Sequence, residues 1–364
     1  MIFARKQSEG RLRRSLTVIA LLLVVFLPPQ TQATTSAYPP QPVQAAAAPI
    51  AILVDLSAGQ TLFARNADRP FRPASMTKAM SALVAFDLIR AGRLDPAALV
   101  EVDADIAGKW AGKGTTLGLR TNERVTVDRL IEGMVTASAN DASEVLARHA
   151  AGSRAEWVAL MNRRAQSLGM NGSRFTSPSG WPDGGKTIVT ARDMVRLARA
   201  LIEEHPGLYR RYFGHPAMQW RGTSLASRNP FAGRLAGADG IKTGHTTEAG
   251  YNFLGSVERG GRRLILLVGG APSETARARM AVDLAEWGFG AWNSRLLVRA
   301  GQVIGRAKVQ GGASRSVELV ALKDWRVAVP NGSSPRIATL RSPPSGARGV
   351  TTARPDTAFG GSEP

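Results

Sequence analysis

Two short apolar runs, Ala51 to Asp55 and Thr61 to Arg65, flank Ser57-Ala58-Gly59. That pattern predicts a β-hairpin opening the folded body. From Ser75 to Leu88 the apolar positions Met76, Met80, Leu83, Val84 and Leu88 recur at helical spacing, the single stripe of a core helix that Gly92 ends. Residues 103–124 are rich in glycine and threonine and hold no sustained period. Thr126 is then placed to cap a helix through Met134, a second helix runs from about Asp141 to His149, and Thr136 to Asn140 joins them. Trp157 to Leu168 and Ala191 to Leu201 predict further helices, on either side of the turn-rich segment Ser177 to Pro182.

From Gly240 the pattern changes. Gly240 to Thr246, Tyr251 to Val257 and Arg262 to Val268 are strand-like, the last two joined across Arg259-Gly260-Gly261, and they predict an antiparallel meander. Thr275 to Trp287 returns to helix, so the expected class is α+β: an antiparallel sheet sandwiched by terminal helices, with a mostly helical middle. Past Ser294 the short runs Ala307 to Val309, Val317 to Leu322 and Val327 to Val329 predict a small, separate β unit. Beyond Asn331 almost no large apolar residue remains, which predicts a disordered tail.

The N-terminus adds a compartment. Arg5, Lys6, Arg11, Arg13 and Arg14 precede the apolar run Leu16 to Leu27, then Pro28-Pro29 and the small residues around Thr31-Gln32-Ala33. This is the layout of an export signal, and the run falls short of the roughly 20 residues a spanning helix needs. The expected organisation is a signal at 1–33, a flexible leader at 34–49, a catalytic body at 50–294, a partial β domain at 295–330 and a tail at 331–364. The protein is then periplasmic or secreted, with retention by an uncleaved signal segment and peripheral contact with the membrane or the cell wall as further expectations.

Among 364 residues there is no cysteine, which excludes a disulfide framework, cysteine-held metals and thiol catalysis. The net charge is +19, from 47 basic and 28 acidic residues. The first 48 residues hold five basic side chains against Glu9, a net +4, so +15 stays on the exported body. The arginines are scattered without a run, which speaks against nucleic acid and fits work on an anionic wall.

Three short elements carry chemistry. Ser75 and Lys78 stand three apart at a helix start, on one face, where an unprotonated lysine can take the serine proton. Free N–H groups and the helix dipole favour the developing oxyanion there. Ser138-Ala139-Asn140, between two helices, can point a hydroxyl and an amide into a cleft. Lys242-Thr243-Gly244 on an edge strand offers a cation, a hydroxyl and a residue without a side chain, so that an extended peptide ending in carboxylate can lie against it. A second Ser-x-Asn, Ser227-Arg228-Asn229, lies in a loop only 13 residues before Lys242 and is set aside in favour of the first.

In this order the three elements resemble the active-site set of penicillin-binding proteins and class A β-lactamases. With Ser138 to Ala142, Gly180-Trp181-Pro182-Asp183, Thr190 to Asp193 and Gly240 to Thr246, the chain is most similar to low-molecular-mass D-alanyl-D-alanine carboxypeptidases from about residue 45 to 330. The resemblance implies the penicillin-binding/β-lactamase-like transpeptidase fold, no cofactor and no metal. It implies that Ser75 is acylated by the penultimate D-alanine carbonyl of a peptidoglycan stem peptide, and by β-lactams, with Lys78 as general base. It further implies that Ser138 relays the proton to the leaving D-alanine and that Asn140 holds the acyl-side amide. Lys242 and Thr243 would bind the terminal carboxylate beside Gly244, and the N–H groups of Ser75 and His245 would form the oxyanion hole.

Alternatives are weaker. A β-lactamase needs a deacylating glutamate, and Phe175 to Gly185 holds only Asp183. Endopeptidase or transpeptidase action would reuse the same residues. No Gly-x-Ser-x-Gly and no His-Glu-x-x-His is present, against a Ser-His-Asp hydrolase or a zinc peptidase. An inactive penicillin-binding scaffold is disfavoured by the intact Ser75, Lys78, Ser138 and Lys242. The family's second domain is only begun by Gly301 to Pro330, and no terminal amphipathic helix of the kind that anchors relatives follows.

Overall fold

The computed structural model describes residues 38–308 and 316–333; the signal expected at 1–33, the start of the leader and the tail past 333 lie outside them. A 3-10 turn at Ala45–Ala47 leads into the hairpin β1 (Ile50–Asp55) and β2 (Gln60–Arg65). There follow α1 (Thr77–Arg90), β3 (Leu99–Glu101), α2 (Ala104–Trp110), β4 (Arg124–Thr126), α3 (Val127–Val135), α4 (Asn140–Ala151), α5 (Arg154–Ser167), α6 (Ala191–Glu204) and α7 (Pro206–Tyr212). The small hairpin β5 (Ala217–Trp220) and β6 (Thr223–Ala226) precedes the meander β7 (Ala238–Thr246), β8 (Gly250–Arg259) and β9 (Arg262–Ala271). After α8 (Glu274–Gly290) come β10 (Trp292–Val298), β11 (Val303–Lys308), β12 (Ser316–Val320) and β13 (Trp325–Pro330).

The main sheet is antiparallel with strand order β2-β1-β9-β8-β7, so β7 is an edge. Its inner strands are apolar on both faces because each face meets its own core. Ile50, Ile52, Ile265 and Leu267 join a cluster with α1 and α3 to α6, whereas Ala51, Leu53, Leu264 and Leu266 point the other way, toward α8. The sheet is therefore sandwiched, but only α8 is a terminal helix; α1 and α6 cover the other face. The β8–β9 connection needs both its glycines: Gly260 and Gly261 take φ of 55° and 73°, the all-positive pair of a two-residue hairpin turn. Thr126 caps α3 as expected, its side chain accepting from the Arg129 N–H.

Three differences from the sequence reading have simple causes. The seven-residue helices α2 and α7 are too short for a period to register, and α2 buries only Ile106 and Trp110. The leader is docked over its described residues. Ala45 and Ala48 are buried, the N–H groups of Gln44 and Ala45 donate to Asp283 Oδ2 at 2.8 and 3.0 Å, and Trp287 Nε1 donates to Pro40 O at 2.6 Å. The break placed after Ser294 falls inside β10. That strand pairs with β13, and Trp292 and Ala328 pack into the α8-side core, while Gln60 of β2 both donates to and accepts from the Ala328 backbone. Among the described residues, strands β11 and β12 pair only with each other. Among the described residues no helix is long and apolar enough to cross a membrane.

Candidate active site

Ser75 sits in a 3-10 turn, Ala74–Met76, that runs directly into α1, so the nucleophile candidate stands one turn before the α-helix. Ala74 adopts φ 49°, a left-handed conformation that costs an alanine roughly 1–2 kcal/mol and needs outside support. Two glycines give it. A Cβ on Gly244 of β7 would lie 2.2 Å from Pro73 O and 3.1–3.2 Å from the amide nitrogens of Met76 and Ser75. A Cβ on Gly180 would lie 1.9 Å from Ala74 O. Gly244 is thus required because the edge strand crosses the Ser75 turn in backbone contact, a tighter reason than the room for a peptide expected from sequence.

Lys78, on the first turn of α1, is fully buried. Its Nζ lies 2.9 Å from Ser75 Oγ, 2.8 Å from Asn140 Oδ1 and 2.9 Å from Ser179 O. Among the described residues no carboxylate touches it. Burial, then the charge of Lys242, hold its pKa well below the ordinary lysine value, with Asp141 and Glu144 pulling weakly the other way. A neutral amine suits these three partners: two N–H bonds go to the Asn140 and Ser179 oxygens, and the lone pair receives the Ser75 hydroxyl proton.

Asn140 is the first residue of α4, and Ser138 precedes it with φ 63°. The pair is steered by Asp141, whose Oδ1 accepts from the N–H groups of Leu117 (2.9 Å) and Ala142 (2.8 Å) and whose Oδ2 accepts from Leu119 (3.1 Å). Asn140 N–H in turn donates to Thr115 O at 2.8 Å. A crevice between this loop and β7 is lined by Ser138, Lys242 and Thr243. Lys242 Nζ is buried with one acceptor, Thr243 O at 3.3 Å. Burial first, then Arg228 and Arg277, lower its pKa to about 7.

The structure brings Ser75, Lys78, Asn140, Lys242, Thr243 and Gly244 to one place, with Ser138 at the crevice mouth. His245 faces outward, exposed and stacked on Tyr251 at 3.9 Å between ring centres. Two arginines were not found from sequence. Arg277, on the first turn of α8, lies over the other ring of that stack, 5.9 Å from the centre of Tyr251. Arg228 belongs to the second Ser-x-Asn, whose residues line the same crevice as Ser138 and Lys242. The signal for it was the triplet itself, set aside for its closeness to Lys242. Its serine and asparagine are spent on their own turn, Ser227 Oγ accepting from Asn229 N–H and Asn229 Oδ1 from Phe231 N–H. Asp183 is no deacylating acid here: its oxygens accept from Thr176, Thr187, Gly185 and Lys186, which hold its pKa low against the opposing effect of burial.

A buried serine–lysine pair, a polar loop and a cation-lined crevice along an edge strand can acylate a serine with a peptide carbonyl and hold a carboxylate beside it. Comparison with known proteins bears on which peptide. A family model described as D-alanyl-D-alanine carboxypeptidase matches residues 33–273. The D-alanyl-D-alanine carboxypeptidase DacD of Salmonella typhimurium is 31% identical over 331 residues, covering 90% of this chain and 84% of that protein. DacA of Escherichia coli is 33% identical over 285 residues, 77% and 70% of the two chains. The crystal structure of penicillin binding protein 5 from Haemophilus influenzae superposes with a TM-score of 0.74 at 30% identity, covering 81% of this chain and 84% of that one. Penicillin-binding protein D2 from Listeria monocytogenes, solved in its ampicillin-bound form, superposes with a TM-score of 0.60 at 32% identity, over 66% of this chain and 97% of that one.

Proposed function

The chain belongs to the D-alanyl-D-alanine carboxypeptidase family, and on that premise we propose that it removes the terminal D-alanine from peptidoglycan stem peptides through an acyl-enzyme on Ser75. The observation that carries this reading is the 2.9 Å approach of Lys78 Nζ to Ser75 Oγ at a buried amine that has no carboxylate partner among the described residues. Neutral Lys78 takes the Ser75 proton as Oγ bonds to the penultimate carbonyl carbon. The negative oxygen lies between the N–H groups of Ser75 and His245, at the positive end of α1. The scissile C–N bond then breaks, Ser138 passing the proton on to the departing amine. Asn140 holds the acyl-side amide. Lys242 and Thr243 hold the terminal carboxylate, whose charge draws a proton onto an amine poised at about 7. Water, deprotonated by the same Lys78, attacks the ester and frees the shortened peptide.

Penicillins acylate the same serine, which makes β-lactams covalent inhibitors. The chain is exported on its first 33 residues and works on the wall outside the inner membrane; the mass of the mature protein recovered from the cell envelope reads the cleavage directly. The deciding assay incubates the purified protein with a pentapeptide ending in D-Ala-D-Ala and measures free D-alanine, with Ser75→Ala alongside. Release by the wild type alone supports the reading, and no release sinks it. Labelled penicillin then separates an inactive binder, which is acylated, from a protein with no competent serine.

A further inference from the structure

The small hairpin β5–β6 touches both sides of the Lys242 crevice. Its strands pair Ala217 to Trp220 with Thr223 to Ala226, and the turn between them is Arg221-Gly222, with φ of 47° and 76°. That all-positive geometry suits asparagine followed by glycine, and an arginine holds it only with outside support. Arg221 has that support: its Nη1 donates to Gly118 O at 2.9 Å and its Nη2 pairs with Glu123. Beside it, Trp220 Nε1 donates to Leu117 O at 2.8 Å. The guanidinium groups of Arg129 and Arg221 lie over the indole, 5.7 and 5.3 Å from its ring centre.

The residues gripped by the hairpin tip are the ones that anchor the Ser138–Asn140 loop. Leu117 gives its carbonyl to Trp220 and its N–H to Asp141 Oδ1, while the Leu119 N–H goes to Asp141 Oδ2. Asp141 follows Asn140 directly, and Asn140 Oδ1 is 2.8 Å from Lys78 Nζ. A relay of three hydrogen bonds therefore runs from Trp220 to the amine beside Ser75. At the base of the hairpin, the Ser227 N–H donates to Pro216 O at 2.7 Å, and β6 leads straight into Ser227-Arg228-Asn229. Those residues line the crevice together with Lys242, and Asn229 stands against β7, where a Cβ on Gly240 would lie 3.6 Å from its Nδ2. One hairpin thus grips the Ser138–Asn140 side at its tip and builds the β7 side at its base.

We propose that this hairpin is a clasp that fixes the Ser138–Asn140 loop against Lys242, with Trp220 as a positioning residue that acts through Leu117 and Asp141 on Asn140. Without the indole N–H, Leu117 O loses its donor, residues 117–119 shift, and Asn140 shifts with them. The loss falls most on ligands that Asn140 holds by an acyl-side amide. The inference rests on the carboxypeptidase reading for the roles of Asn140 and Lys242.

The test uses Trp220→Phe, which keeps an aromatic ring under the guanidinium groups and removes the donor. Intact-mass spectrometry follows acylation by benzylpenicillin, which carries an acyl-side amide, and by 6-aminopenicillanic acid, which has a free amine there. Acylation by benzylpenicillin should slow about tenfold, the upper scale of one hydrogen bond, and by 6-aminopenicillanic acid less than about threefold. A merely structural tryptophan would slow both alike. Arg221→Asn eases the turn, so its Tm should stay within about 3 °C of the wild type, yet it frees Gly118 O and should slow benzylpenicillin several-fold with the same bias. That variant decides the matter if Trp220→Phe does not fold. Equal slowing of the two β-lactams, or no slowing of benzylpenicillin, overturns the clasp and leaves the carboxypeptidase standing. A wild type that neither β-lactam acylates and that releases no D-alanine overturns the reading beneath it.

Discussion

Lys242→Met should stabilise this protein while disabling it. In the folded state the Lys242 amine is buried against a single carbonyl, and burial with Arg228 and Arg277 brings its pKa from 10.5 to about 7. In the unfolded chain it titrates near the ordinary value. Between about 7 and 10.5 the unfolded state holds a proton that the folded state lacks, so stability rises with pH across that window. Below about 7 both states are charged and the full cost of the buried cation is present, roughly 5 kcal/mol at 1.36 kcal/mol per pH unit. Methionine fills a similar volume without charge and loses one hydrogen bond worth about 1 kcal/mol. Allowing for water reaching the crevice, a gain of about 2–4 kcal/mol is expected at pH 6, or a Tm higher by roughly 5–15 °C. The gap should close by pH 10. Calorimetric melts of the two proteins at pH 6, 8 and 10 read it, and penicillin acylation should fall at least about 100-fold in the same variant. A variant melting at or below the wild type at pH 6, or a gap that does not shrink with pH, would refute the argument.

Gly244→Ala drives a Cβ to within 2.2 Å of Pro73 O, so β7 and the Ser75 turn must part by about 1 Å; acylation by labelled penicillin should drop about 100-fold, and a rate within fivefold of wild type would contradict the contact. Asp141→Asn turns an amide against one of three backbone donors and should cost about 2–3 kcal/mol by urea denaturation, with Asn140 loosened and D-alanine release slowed. A chain starting at Ile50 loses the buried Ala45 and Ala48 and the donors to Asp283; its Tm should fall by roughly 3–10 °C, whereas an unchanged Tm would mean that the leader adds nothing.

How far the sequence carried this picture depended on whether the information was local. The core helix ending at Leu88, the apolar run Leu264 to Val268 and the cap at Thr126 are each written within one element, and each was found, although α1 is buried all round rather than along one stripe. Ser75 and Lys78 meet because residues three apart on a helical turn are neighbours. What was missed depends on distant partners. The residues 38–49 look like a linker by composition, yet Asp283 and Trp287, more than two hundred positions away, hold them to α8. Strand β10 has half its side chains turned to solvent and becomes a strand through β13 and the Gln60 bridge, neither of which leaves a mark on its own sequence. Arg277 comes near the site from α8, far from Lys242 in sequence, lying over the Tyr251 ring and lowering the pKa of Lys242.

The three motifs do more than donate side chains and leave room for a peptide. Lys78 and Asn140 do supply functional atoms, but Gly244 works by having none. Ser75 is aimed by a turn whose alanine sits in a left-handed conformation, and that turn is held between the backbone of β7 at Gly244 and the backbone of the Trp181 loop at Gly180. Neither glycine leaves space for a methyl group. The nucleophile is therefore positioned by two main chains in van der Waals contact, and α1 adds its amine from below. A third segment, the Asp141-anchored loop, sets Asn140 against that amine. The small residues around Ser75 are thus as restrictive as the charged ones. A search for serine, lysine and asparagine at the right spacing finds the chemistry; the pair of glycines that let three chain segments close on one turn decides whether that chemistry is assembled.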